Sequence, residues 1–247
     1  MKSVGLTEVL VIVGLIVFFW GLPRLGPRRG RDVRSEAESR FGGRLMGWRW
    51  LYYYLGGGSE AKKIEAEEAF GRHLAHTVPA GSVPQAQAAA ARRVGNCLAM
   101  LVPSRHFAFT VVDSAEVNAF ALPGGRIFVT NRLMKAVDGD EHGLAFVLAH
   151  EMGHVVLEHP AEKHLLPVLL SLLPAAAQIG GLFQSGYSRQ QELQADRQGV
   201  EFMKQAGFEA AGARRVLTLL ERLPGAGGGG WWATHPNASE RIAALRA

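Results

Sequence analysis

From Leu144 to Val156 every residue is apolar or glycine except His150, Glu151 and His154. Such a run reads as a helix in apolar surroundings. Burying two imidazoles and a carboxylate there is costly unless they are paired or metal-bound. Residues four apart on a helix share a face one turn apart, so His150 and His154 can aim at one point. Glu151, beside the first histidine, reaches the same point from the side. This is the H-E-x-x-H arrangement, two zinc ligands plus a general base. A helix with two satisfied histidines would share the spacing, but its apolar neighbours favour the metal site.

A catalytic zinc takes a third protein ligand and keeps one position open for water. The candidates downstream are His159, Glu162, His164 and Glu192. A third histidine six residues after His154 is excluded, because Pro160 stands there. Glu192 falls on a separate helical segment, with Asp196 one turn behind it on the same face. A solvated helix face is the default for a lone glutamate. With His150 and His154 already paired, Glu192 is the favoured third ligand, and Asp196 is placed to hydrogen-bond a ligand histidine.

A chain of 247 residues holds one large domain or two small ones. Its 48% hydrophobic and 20% charged content fits a globular protein with an extra apolar segment. That segment is Val4–Leu22, apolar except for Thr7 and Glu8, and close to the ~20 residues that span a bilayer. Its end, Phe18-Phe19-Trp20-Gly21-Leu22-Pro23, has no small-x-small cleavage site, so a retained anchor is expected rather than a removed leader or a core helix. Eight arginines against three acids lie between Gly21 and Trp50, a bias that prefers the cytoplasmic side. Trp48, Trp50 and Tyr52–Tyr54, interleaved with Arg44 and Arg49, suit a membrane interface and packing on the domain equally. Nucleic-acid binding has no support elsewhere in the chain. The expected division is an anchor over 1–23, a basic and aromatic juxtamembrane segment with a glycine linker over 24–59, and a domain carrying the zinc motif over 60–247. One cysteine excludes an internal disulfide, and Val94, Leu98 and Leu101 around Cys97 predict a core position for it.

Within the domain, Glu60–His76 and Gln85–Leu101 read as helices. Phe107–Val112, Asn118–Leu122 and Arg126–Thr130 read as strands, with Ile127 and Val129 alternating in the last. Asp138-Gly139-Asp140 is a turn able to cap the motif helix. Leu165–Phe183 is apolar but broken by Pro167 and Pro174, which predicts a helical hairpin, buried or facing a membrane, rather than a second span. Ser188–Gln205 and Glu209–Leu223 are helical, Gly225–Gly230 is a flexible stretch, and a short helix closes the chain. The order predicts α+β: a mostly helical domain with a small sheet beside the motif helix, preceded by an N-terminal transmembrane helix.

Val112-Asp113-Ser114, Asn118 through Gly125, Phe128-Val129-Thr130, His150–His154, Gly186-Tyr187-Ser188-Arg189, Glu192 with Ala195-Asp196, and Thr234-His235-Pro236 with Arg241-Ile242 keep one order. Together they resemble the BepA and HtpX type of zinc metallopeptidase, related to the CAAX prenyl proteases. The resemblance runs from about Glu60 to Ala247 and implies an endopeptidase acting on membrane or misfolded envelope proteins. It implies one zinc held by His150, His154 and Glu192, with Glu151 as general base. The usual Glu-x-Glu-Ala-Asp is here Glu192-Leu193-Gln194-Ala195-Asp196, which keeps the ligand and the aspartate. Relatives of this type often work outside the cytoplasm, opposite to the arginine bias, so the side of the membrane stays open. An isolated His235 would read as a solvent-exposed loop residue; the resemblance makes it functional, either an oxyanion donor or a plug in the open zinc position. A polypeptide substrate is expected to add as a strand along Asn118, Ala119, Phe120 and Ala121. The alternative is a non-catalytic membrane-anchored zinc protein, a chaperone or binder, whose structural site would need a fourth ligand, typically cysteine. The oligomeric state is not legible in the sequence.

Overall fold

The computed structural model describes residues 46–47, 49–56, 58–79, 81–160, 186–223 and 230–245. The expected anchor Val4–Leu22, the arginine cluster after it, the hairpin over Leu165–Phe183 and residues 224–229 lie outside them. Among the described residues no helix is long and apolar enough to cross a membrane.

A short helical stretch over 49–54 precedes α1 (Glu60–Ala75) and packs on it. Trp50 stacks on Phe70 with ring centroids 5.2 Å apart, and both join Leu51 and Ala66 in a small buried cluster. For Trp50 and Leu51, then, packing on the domain is what occurs. Tyr52 faces outward at 40% exposure.

In α2 (Gln85–Ala99) the buried residues are Ala91, Val94, Gly95 and Leu98, the i, i+3, i+4, i+7 stripe of an amphipathic helix. Cys97 is exposed, against the core position expected for it. One residue before Leu98 means about 100° around the helix, which carries Cys97 off the stripe although its sequence neighbours are apolar.

The strands are β1 (Ala108–Val112), β2 (Ala119–Leu122) and β3 (Arg126–Thr130), in the spatial order β1-β3-β2. β3 runs parallel to β1, pairing Val111 with Val129, and antiparallel to β2, pairing Phe120 with Phe128. As the central strand β3 is covered on both faces, so Ile127, Phe128, Val129 and Thr130 are all buried and the simple alternation expected there is absent. β2 is an edge strand.

Thr130 ends β3 and caps α3 (Asn131–Ala136), its hydroxyl accepting from Leu133 N at 3.1 Å. Asp140 caps α4 (Glu141–Val156), accepting from Gly143 N at 2.9 Å, as the turn at 138–140 predicts. Every residue of α4 from Gly143 to Val155 is buried, so this helix is the axis of the core. Ser188 and Gln191 form a capping box at the start of α5 (Arg189–Gln205). α4 and α5 press together through two glycines. A Cβ on Gly199 would lie 3.0 Å from His150 N, and one on Gly153 3.0 Å from Ala195 O. That contact brings the α5 carboxylates up to the α4 histidines. α6 (Ala211–Arg222) covers α4 with Ala213, Val216, Leu217 and Leu220. Two short helices, α7 (Trp231–Thr234) and α8 (Ala238–Ala244), complete a mostly helical α+β fold with a small sheet.

Candidate active site

The site is built on the buried middle of α4. One turn of helix brings His150 Nε2 and His154 Nε2 to 3.1 Å from each other. From α5, Glu192 Oε1 comes to 3.4 Å from His154 Nε2, and its Oε2 to 3.6 Å from His150 Nε2. From the end of α7, His235 Nδ1 stands 3.3 Å from His150 Nε2 and 3.1 Å from Glu192 Oε1. One donor atom from each of these four residues lies within 4.8 Å of all the others. A tetrahedral zinc about 2.0–2.1 Å from each ligand spaces neighbouring donors by about 3.3–3.4 Å, so the donor set fits that ion in spacing and in type. Charge fits as well. Among the described residues Glu151, Glu192 and Asp196 are buried against one buried guanidinium, that of Arg241, and a divalent cation would balance the surplus.

Each histidine has a partner on its other nitrogen. His150 Nδ1 is 2.9 Å from Asp196 Oδ1, an N–H donated to a carboxylate that leaves Nε2 with its lone pair turned to the site. His154 Nδ1 meets His159 Nδ1 at 2.8 Å, and the Tyr187 ring stacks on the His154 ring at 3.8 Å. Burial disfavours the charged form of His154 most, and the His150 ring adds to it; against the opposing pull of Glu192 the pKa falls to about 3.

Glu151 is wholly buried beside the donor set, and neither of its carboxylate oxygens makes a well-formed hydrogen bond. His235 Nε2 lies 3.2 Å from Glu151 Oε1 and 3.3 Å from the Ala119 carbonyl of β2. Burial opposes charging of His235, but Glu192 and Glu151 outweigh it and raise the ring to about 9. Burial likewise pushes Glu192 upward, while His235 and Arg241 hold it well below the usual carboxylate range.

The residues singled out from the sequence therefore fall into place unevenly. His150, His154 and Glu192 converge, with Glu151 alongside and Asp196 behind His150. His159, weighed as a third ligand, lies behind His154 instead, outside the donor set. Glu162 and His164 lie outside the described residues. Asn118, Ala119, Phe120 and Ala121 form the edge strand with its start. Asn118 O accepts from Thr130 N at 2.9 Å, Phe120 stacks on Phe128, and the Ala119 carbonyl faces the site. Trp231 N donates to Val117 O at 2.8 Å, which docks α7 just ahead of that edge.

Arg241 received no role from the sequence, although it is completely buried. Its guanidinium donates to both Asp196 oxygens and to the His235 carbonyl, and Nη1 lies 2.5 Å from Glu192 Oε2. The available signal was its place with Ile242 in the run that follows Thr234-His235-Pro236 in the resemblance.

The sequence model of peptidase family M48 matches residues 85–247. Metalloendopeptidase OMA1 of Bos taurus, a mitochondrial protein, is 34% identical over 163 residues, which cover 53% of this chain and 30% of the relative. Mitochondrial metalloendopeptidase OMA1 of Schizosaccharomyces pombe is 35% identical over 150 residues, 53% of this chain and 43% of the relative. Metalloprotease LoiP of Escherichia coli is 28% identical over 172 residues, 62% of this chain and 67% of the relative. The matched part of the chain spans less than half the length of the two OMA1 proteins.

Proposed function

The chain belongs to peptidase family M48, and from that premise we propose that it is a zinc-dependent endopeptidase acting on membrane or misfolded envelope polypeptides. The observation that carries this reading is the convergence of His150, His154 and Glu192 at zinc-ligand spacing beside the buried Glu151. These three side chains would hold one zinc per chain. Bound zinc would lower the pKa of a water toward about 7 and polarise the scissile carbonyl. Glu151 takes the proton of the attacking water on a carboxylate oxygen and passes it to the departing amine. Asp196, receiving the His150 Nδ1 proton in a hydrogen bond, keeps His150 Nε2 turned to the site.

His235 is the plug in this scheme. Its Nδ1 completes the four-atom donor set, in the position that the attacking water needs. Its Nε2 sits against the Ala119 carbonyl, on the edge strand that a substrate would use. Movement of His235 would therefore free a corner of the site and a strand acceptor together. A peptide then adds along Asn118, Ala119, Phe120 and Ala121 through backbone hydrogen bonds, with little readout of its side chains. The apolar Val4–Leu22 segment would tether the domain to a membrane.

A second reading has one observation in its favour. Four protein donors close the site, as in structural zinc centres, and this suits a non-catalytic zinc-containing chaperone or binder. A closed structural centre leaves Glu151 without a task. The deciding experiment is to load the full chain with zinc and incubate it with unfolded casein, with and without a chelator. Cleavage that the chelator stops and zinc restores supports the peptidase. One tightly held zinc without cleavage, in the wild type and in His235→Ala alike, supports the structural reading.

A further inference from the structure

The helical stretch before α1 carries apolar side chains on two sides. Trp50 and Leu51 face the domain and are buried with Ala66 and Phe70. At about 100° per residue, Arg49 and Tyr52 fall on the opposite side of the helix. Leu55 falls beside Tyr52, its N–H donating to Leu51 O at 3.0 Å. Arg49, Tyr52 and Leu55 are exposed, as is Met46 ahead of them. Among the described residues the exposed large hydrophobic side chains are Met46, Tyr52, Leu55, Met100 and Leu219, so most of them stand in this one stretch. Scattered singly, such side chains need no explanation, but gathered on one short helix they mark a contact surface. Arg49 adds little net charge to it, because its guanidinium lies 2.5 Å from Glu65 Oε1 of α1.

We propose that this outward face, Met46, Tyr52 and Leu55 around Arg49, lies on an anionic bilayer surface, so that the domain is docked on the membrane as well as tethered to it. The proposal rests on the reading of Val4–Leu22 as the tether. Charge points to lipid as the occupant. Residues 1–45 hold eight Lys and Arg against four acids, so +4 of the net charge of +5 stands there and only +1 in the rest of the chain. The positive charge therefore lies on the stretch that leads from the apolar segment into the patch, where anionic headgroups would attract it. Continuity points the same way. Residues 23–45 join the apolar segment to Met46, so the tether delivers this face of the domain first. The side chains suit the depth. A tyrosine ring sits at the acyl boundary with its hydroxyl among the headgroups, and an arginine can lay its stem on apolar surface while its charge stays in the polar layer.

The inward side of the same helix joins this face to the active site. Trp50 stacks on Phe70 of α1 and lies 5.5 Å from the Tyr54 ring. Lys63 of α1 holds its Nζ 5.4 Å from the centre of that ring and 2.5 Å from Glu158 Oε1. Glu158 stands two residues beyond the end of α4. Arg105 approaches the same oxygen at 3.8 Å and is itself paired with the buried Glu67 at 2.8 Å. A chain of packed and charge-paired side chains thus runs from the outward patch to the end of the helix that carries His150 and His154. Docking of the patch would fix the orientation of that helix over the bilayer. The site would then meet polypeptide segments at the membrane surface, a narrower substrate class than unfolded chains at large.

The test uses the full chain, with Cys97→Ser, reconstituted in vesicles of phosphatidylcholine alone and of phosphatidylcholine mixed with phosphatidylglycerol. A polarity-sensitive fluorophore is attached at Tyr52→Cys or, as a control on another exposed side chain, at Met100→Cys. Flotation reads attachment to the vesicle, and the label reads docking. The expected result is flotation with both vesicles, but a blue shift and loss of acrylamide quenching at position 52 only with the anionic lipid. Adding Met46→Ser and Leu55→Ser should abolish the blue shift and leave flotation unchanged; both side chains are exposed, so the fold tolerates their loss. A position-52 label equally open to acrylamide in both vesicles overturns the proposal, and so does an equal blue shift at position 100. Protection that appears without lipid and grows with protein concentration would make a second copy the occupant and also overturns it. A chain that alkaline carbonate strips from anionic vesicles, after its position-52 label was protected, supports the docking and contradicts the anchor alone. Neither readout uses cleavage, so the peptidase reading stands or falls separately.

Discussion

Arg241 closes a fork on Asp196, its Nε 2.8 Å from Oδ2 and its Nη2 2.7 Å from Oδ1, with both side chains buried. This pair ties α8 to α5 at the point where Asp196 also receives the His150 N–H. Burial raises the Asp196 carboxyl, yet Arg241 and His150 outweigh it and hold it below the usual carboxylate range. Removing one partner of a buried pair strands the other charge. Arg241→Met is expected to cost about 3–5 kcal/mol and to weaken zinc binding through His150. Arg241→Lys should restore little, since a lysine cannot reproduce a two-pronged contact. Thermal unfolding and zinc titration of the two variants check this; a Tm within a degree of wild type in Arg241→Met would show the fork to be dispensable.

The plug role assigned to His235 separates cleanly from the donor role. In His235→Ala zinc should be retained on the three remaining ligands, and basal casein cleavage should rise, with self-cleavage as a further sign. A fall in kcat of about 100-fold, the loss for one oxyanion donor, would instead make His235 a donor. Zinc content and initial cleavage rates of the purified variant distinguish the two.

Gly199 sets the distance between the metal-facing helices. Its missing Cβ leaves the backbone of His150 in contact with α5. Gly199→Val should push α5 outward, costing about 1–3 kcal/mol as an overpacked core does, and should move Glu192 off its ligand position. The expected outcome is a folded protein with zinc affinity reduced by at least 10-fold. Unaltered zinc binding in a folded Gly199→Val would mean that the close approach is not what places Glu192.

Asp140 gives a pH dependence remote from the site. Its hydrogen bond with Arg215 lowers the carboxyl from its ordinary value near 3.8, the main opposing effect being partial burial, and the bond from Gly143 N lowers it further. A lowered carboxyl stabilises the fold fully above the ordinary value and loses that contribution as pH falls through the folded value. Asp140→Ala should therefore cost about 1 kcal/mol at neutral pH, the worth of a helix cap. The gap to wild type should close below pH 3.8 as the wild-type carboxyl takes up its proton. Urea unfolding at pH 7 and pH 3 measures both; a gap that widens in acid contradicts the sign.

What could be read from the sequence was what local spacing determines. His150, Glu151 and His154 follow from one turn of helix, and the caps at Asp140 and Ser188 follow from residue type at a helix start. Glu192 and Asp196 were legible because their spacing of four repeats the same geometry on a second helix. The role of Arg241 was not, because it acts across tertiary contacts that no local period encodes. His159 was weighed as a ligand, yet the left-handed turn at Glu158 carries it behind His154. Cys97 was placed in the core on the strength of apolar neighbours, whereas the helical phase turns it outward. The aromatic stretch before α1 was ambiguous for a physical reason. Tryptophan and tyrosine flanked by arginine suit a membrane interface and a domain surface alike, and only the stacking of Trp50 on Phe70 distinguishes them.

The most direct test of the central claim is the zinc content and casein cleavage of Glu151→Gln beside wild type, each also in the His235→Ala background. The amide is nearly isosteric with the carboxylate and cannot take the water's proton. The expected result is one zinc per chain throughout, cleavage that a chelator abolishes when Glu151 is present, and no cleavage in either background when it is glutamine. Cleavage by Glu151→Gln at a rate near its parent, or no zinc-dependent cleavage even with Glu151 present and His235 removed, contradicts the account.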